Sequence, residues 1–159
     1  MSDDGDLRGG IDLGGTKIEA IVVDADNQVR GQNRQPTPTN GGPADVAKQM
    51  AQAMSGAATA AGVEPSALRG IGVGSPGDVD DDAGTVANAR NLPNWLEPFA
   101  LGAALSQRLG ATVHLGNDVQ VATRAEFRLG AGKPYDSVLG VFWGTGVGGG
   151  IILHGEPWR

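Results

Sequence analysis

Gly9-Gly10-Ile11-Asp12-Leu13-Gly14-Gly15-Thr16-Lys17-Ile18-Glu19-Ala20-Ile21-Val22-Val23-Asp24 sets the fold class. An apolar run, Gly9 to Leu13, is turned by Gly14-Gly15-Thr16-Lys17, and a second run, Ile18 to Asp24, follows. Two strands therefore flank a glycine turn. Turn formers at Asp24-Ala25-Asp26-Asn27 lead into Gln28 to Gln35, a polar stretch whose alternation suits a third, edge strand. Three strands joined by short turns make an antiparallel meander.

The rest of the chain alternates helices with strands. Pro36 to Pro43 reads as a loop; then Val46, Met50, Met54, Ala57 and Ala61 recur at helical spacing from Ala44 to Ala61, with Gly62 as a stop. Gly70 to Ser75 is a buried strand, and Asp78 to Gly84 reads as loop. Pro98 to Leu109 forms a second helix with Leu101, Leu105 and Leu109 on one face, ended by Gly110. Thr112 to Leu115 is a strand, and Gly116-Asn117-Asp118 opens a third helix with Val121, Ala125 and Leu129 as its apolar stripe. Ser137 to Trp143 and Gly150 to Leu153 are strands around a second glycine loop. A leading meander followed by β/α units predicts an α/β fold with a mixed sheet.

Composition narrows the function. The 159 residues suffice for one core. Twelve basic against 18 acidic residues give a net charge of −6, which argues against nucleic acid or an anionic membrane as a partner. No apolar run approaches the ~20 residues of a membrane span, and the acidic start is unlike a signal peptide, so the sequence reads as cytoplasmic. It has no cysteine, and its two histidines, His114 and His154, stand far apart, which excludes thiolate metal sites and histidine pairs at helical spacing.

Glycine, at 27 residues, is the outlier, clustered at the ends of β-branched runs where backbone must turn tightly or approach a ligand. In Asp12-Leu13-Gly14-Gly15-Thr16-Lys17, backbone N–H groups and the Thr16 hydroxyl can hold phosphate. Asp12 at the strand end is placed to hold Mg²⁺ through water. The plainer alternative is a glycine hairpin with an exposed lysine. The Walker spacing is absent. Gly72, Gly74, Gly77 and Gly144, Gly146, Gly149 match the dinucleotide fingerprint in spacing, but neither set opens a helix, so that reading fails. The run Gly144 to Gly150 reads as a second phosphate turn, the alternative being a flexible hairpin tip. Asn117 can cap the third helix while its dipole favours an ionised Asp118. Both residues could be no more than caps; equally, an aspartate so placed suits phosphoryl transfer, which requires only that it orient a hydroxyl and take its proton late.

Asp12 to Lys17, Gly72 to Gly77, Asn88 to Trp95, Gly116 to Asp118 and Gly144 to Gly150 together resemble, in order and spacing, the ROK family of sugar kinases, particularly bacterial glucokinases. The resemblance implies the actin-like ATPase (ribonuclease H-like) fold, with a polar tail at 1–8, an amino-terminal lobe at 9–134 and the opening strands of a second lobe at 135–159. It further implies ATP-dependent phosphorylation of a hexose, most simply glucose at its 6-hydroxyl, with ATP and Mg²⁺. Asp12, Gly14, Gly15, Thr16 and Lys17 match the first phosphate loop, and Gly144, Thr145 and Gly146 the second. Asp118 matches the catalytic base, and Gly77, Asn91, Asn117 and Asp118 itself the sugar contacts.

In the family, a Glu-x-Gly-His segment, a zinc site in many members and the adenosine pocket come later than the residues present here. The resemblance thus implies the first part of a longer parent that assembles as a homodimer or homotetramer, with zinc possible only downstream. The 159 residues alone are expected to be inactive, and either poorly soluble or dependent on a partner to fold, because Ser137 to Leu153 would leave sheet edges and apolar faces uncovered. The alternatives are a ROK transcriptional regulator, which needs an amino-terminal helix-turn-helix, and a non-catalytic sugar-binding remnant.

Overall fold

The computed structural model describes residues 6–143 and 147–158. They form two compact units, Met1–Gly116 and Asn117–Arg159.

In the first unit, β1 (Arg8–Leu13), β2 (Lys17–Val23) and β3 (Val29–Pro36) form the expected meander. The sheet is completed by β4 (Ile71–Ser75) and β7 (Val113–Asn117) in the order β3-β2-β1-β4-β7, with β4 parallel to β1. The sheet is mixed because β1 pairs antiparallel with its hairpin partner but parallel with the strand reached through a helix. That helix, α1 (Pro43–Ala60), buries Val46, Met50, Met54 and Ala57 against β1, β2 and β3, with Ile11, Leu13, Ile18 and Val22 as partners. Each fully buried valine, leucine, isoleucine or methionine among them contributes about 1.5–3 kcal/mol. The second helix, α2 (Leu101–Leu109), packs on α1 and buries Leu101, Leu105 and Leu109. Gly10, Asp12, Lys17, Glu19 and Ile21 alternate with the core residues and face away from α1.

Three expectations change here. Asp78 to Gly84 is not all loop: β5 (Asp78–Asp80) pairs with β6 (Thr85–Ala87), and the Asp80 carboxylate accepts the Ala83 N–H within the connecting turn. The second helix starts at Leu101, not Pro98, because Phe99 exchanges both backbone hydrogen bonds with Val86, which holds that stretch extended. The strand at 113 runs on to Asn117.

In the second unit, α3 (Asp118–Leu129) lies on an antiparallel sheet of β8 (Val138–Trp143), β9 (Val147–Leu153) and β10 (Glu156–Pro157). Its contact face is not the predicted stripe. Val121, Ala125 and Leu129 are exposed, and the buried position is Thr123, packed where Gly140 and Gly150 leave room. The second glycine loop is also shorter than expected, since Gly148, Gly149 and Gly150 pair with Phe142, Val141 and Gly140 as part of β9. The compact units divide between Gly116 and Asn117. Among the described residues, no helix is long and apolar enough to cross a membrane.

Candidate functional site

Leu13 and Ile18 are register partners and both buried, which fixes the ends of the first glycine turn. The Gly14 N–H donates to the Lys17 carbonyl at 2.9 Å and closes it. Among the described residues, the N–H groups of Gly15 and Thr16 and the exposed Thr16 hydroxyl donate to no protein acceptor. Three uncommitted donors on two adjacent residues fit the oxygens of a phosphate chain. Asp12 is the register partner of Glu19 across the hairpin, so two carboxylates share the sheet face that points away from α1. That donor set is all oxygen, as a hard hydrated cation requires. Lys17 places its Nζ 3.0 Å from Glu19 Oε1, with Arg34 Nε 3.6 Å from the same oxygen. Such a half-exposed pair is worth little, so the Lys17 ammonium can exchange Glu19 for an arriving anion.

Two segments hold this turn. Thr37, just beyond β3, donates its hydroxyl to the Gly14 carbonyl at 2.7 Å and its N–H to the Thr16 carbonyl at 3.1 Å. Asn91 lies against the other side: a methyl group on Gly15 would come within 3.1 Å of Asn91 Nδ2 and 3.3 Å of its carbonyl oxygen. The structure thus brings Asn91, a predicted sugar contact, onto the predicted phosphate turn. Thr37 was missed by sequence reasoning; the only signal is its position between Pro36 and Pro38, which restrict the backbone there.

The segment carrying Asn91 is anchored from below. Trp95 is buried, donates its Nε1–H to the Val86 carbonyl at 3.0 Å and meets Phe99 edge to face at 5.7 Å. Asn94 Nδ2 donates to the Gly41 carbonyl at 2.8 Å, and Asn88 Nδ2 to Asp78 Oδ2 at 2.7 Å. Gly77, the other predicted sugar-side residue of this unit, has φ +90, and a side chain there would strike the carbonyl of Ala87. Only glycine meets both demands, so the Ser75-Pro76-Gly77 turn can press its backbone onto the 87–89 stretch.

In the second unit, Asn117 is the N-cap of α3 and its Oδ1 accepts the Gln120 N–H at 3.4 Å. Asp118 opens the helix half-buried, with Oδ1 accepting the Val119 N–H at 2.9 Å, which orients the carboxylate at the helix mouth. Gly144, Thr145 and Gly146, the predicted second phosphate loop, lie outside the described residues, between the paired ends Trp143 and Val147.

Comparison with known proteins bears on the family and the fold. The family model described as "ROK family" matches residues 8–159. A glucokinase of Streptomyces coelicolor is 36% identical over 91% of this chain and 43% of its own length, and an N-acetyl-D-glucosamine kinase of Pectobacterium atrosepticum is 36% identical over 93% and 46%. The chain therefore spans about half the length of the curated relatives it matches. Among solved structures, a ROK family glucokinase from Streptomyces griseus in complex with glucose and AMPPNP superposes with a TM-score of 0.84 at 35% identity, covering 96% of this chain and 46% of that one. A ROK family transcriptional regulator shares the fold alone, at 20% identity and a TM-score of 0.83, over 98% of this chain and 38% of its own. The architecture is the actin-like ATPase fold of the ROK sugar kinases, and the chain belongs to the ROK family.

Proposed function

We propose that these residues serve an ATP-dependent hexose kinase of its relatives' length, which phosphorylates glucose at the 6-hydroxyl, and that the 159 residues alone are inactive. The observation that carries the reading is the Gly14–Lys17 turn, which is held by Thr37, flanked by Asn91 and offers three donors that meet no protein acceptor among the described residues. Gly14, Gly15, Thr16 and Lys17 bind the phosphate chain, joined by Gly144, Thr145 and Gly146. Gly77, Asn91 and Asn117 hold the sugar. Asp118 orients the hydroxyl and accepts its proton as the phosphoryl group transfers. Asp12 would hold Mg²⁺ through water, and the ion would offset charge on the phosphate oxygens. The protein would work in the cytoplasm as a homodimer or homotetramer, without nucleic acid or membrane. The regulator alternative has the shared fold in its favour and nothing more specific.

A coupled assay on the parent enzyme tests this. Asp118→Ala should lower turnover by about 10²–10⁴-fold, with glucose binding retained by calorimetry; unchanged turnover removes Asp118 from the reaction. Running glucose against N-acetylglucosamine, and ATP against polyphosphate, identifies both substrates in the same experiment.

A further inference from the structure

Three polar side chains are buried among the described residues: Thr37, Ser75 and Thr123. Thr123 bonds to its own helix at the Val119 carbonyl, and Ser75 to the carbonyl of the next residue, Pro76. Thr37, 5% exposed, is different, because its hydroxyl reaches 23 positions back along the chain to the Gly14 carbonyl. That carbonyl belongs to the same peptide unit as the Gly15 N–H. Because a trans peptide is planar, fixing the direction of the carbonyl fixes that of the N–H, which points the opposite way. Thr37 therefore aims one of the donors that has no protein acceptor. Its own N–H fixes the Thr16–Lys17 peptide through the Thr16 carbonyl, which secures the far end of the turn. The Gly14–Gly15 peptide lies between two glycines, the residues least able to resist rotation about its flanking bonds.

We propose that Thr37 is the positioning residue of the phosphate turn: its hydroxyl holds the Gly14–Gly15 peptide in the one orientation that presents the Gly15 N–H to the nucleotide's phosphates. The inference rests on the phosphate-binding reading of the turn. Without the hydroxyl, the peptide samples flipped orientations in which a carbonyl replaces the N–H, and phosphate meets an acceptor where it needs a donor. The loss falls on the phosphate arm of the nucleotide and leaves adenosine and sugar recognition alone.

The test is a calorimetric and kinetic comparison of wild type, Thr37→Val and Thr37→Ser in the parent enzyme. Valine keeps the volume and removes the hydroxyl. It should weaken AMPPNP and inorganic triphosphate alike, by about tenfold, the scale of one lost hydrogen bond with its acceptor stranded. The KM for ATP should rise by the same factor while the KM for glucose stays within about twofold. Thr37→Ser should recover most of the loss. Should the valine variant not fold, Thr37→Ala serves in the same titrations. Unchanged triphosphate affinity in the variant without the hydroxyl overturns the inference, as does an equal rise in both KM values or a serine variant as weak as valine. If wild type phosphorylates no hexose, the kinase reading falls while the triphosphate titration still decides the role of Thr37. If Asp118→Ala abolishes turnover and Thr37→Val binds normally, only the present inference falls.

Discussion

In the first unit, α1 meets its sheet through Val46, Met50, Met54 and Ala57, none of which reaches solvent; in the second, α3 meets β8 and β9 with one buried residue, Thr123. Both regions are an amphipathic helix on an antiparallel hairpin. The first closes a core because α2, Trp95 and β4 complete the enclosure. The second has glycines where the helix approaches, and glycine permits contact without contributing apolar area. Leu139, Val141, Trp143 and Val147 lie exposed on the strands, as do Val121 and Leu129 on the helix. Regular hydrogen bonding can thus be complete while burial is not, and stability follows burial.

The largest expected effect breaks the contrast at its tryptophans. Trp95 is 1% exposed and Trp143 is 87% exposed. Trp95→Ala should cost about 3–5 kcal/mol and unfold the first unit, whereas Trp143→Ala should stay within about 0.5 kcal/mol, both read by chemical denaturation. Equal losses would mean that something covers Trp143 in solution. A middle effect sharpens the account of the second unit. A methyl on Gly150 would lie 2.5 Å from Thr123 Oγ1, so Gly150→Ala should cost about 1–3 kcal/mol by overpacking. An unchanged midpoint would show that α3 does not rest on β9 as described.

The smallest effect is electrostatic and belongs to the first unit. Backbone N–H donation from Gln28, then the Arg30 guanidinium, holds the Asp24 carboxyl below its usual value of 3.8, and Arg69 does the same for Asp6. A depressed carboxylate stabilises the fold above its ordinary pKa, and that contribution fades as pH falls through the folded value. Below about pH 4 the thermal midpoint should drop by a small amount, because both pairs lie at the surface with their arginines open to solvent. Asp24→Asn should flatten that slope; an unaltered profile would remove Asp24 from the acid response.

What could be read beforehand follows from where the determining contacts lie. The meander was legible because Leu13, Ile18, Ala20 and Val22 alternate about a glycine turn, a local pattern. The α1 stripe was legible for the same reason. The start of α2 was not, since Phe99 is held extended by Val86, thirteen residues away in sequence. The contact face of α3 was hidden because its buried residue is a threonine whose hydroxyl is satisfied by its own helix. Residues of the candidate site announced themselves by glycine and aspartate patterns. Thr37 carried no such mark, because its role exists only once β3 has returned the chain to the turn.

The three tryptophans are sorted by region, with Trp95 enclosed beside Phe99 in the first unit and Trp143 and Trp158 open to solvent in the second. Ultraviolet emission from the chain is therefore a two-channel signal, one blue and shielded from quenchers, the other red and accessible. Trp143 borders the residues expected to receive the second part of a nucleotide's phosphate chain. On the proposed function, added nucleotide should change the red channel and leave the blue one alone, an optical gauge of occupancy with no label attached.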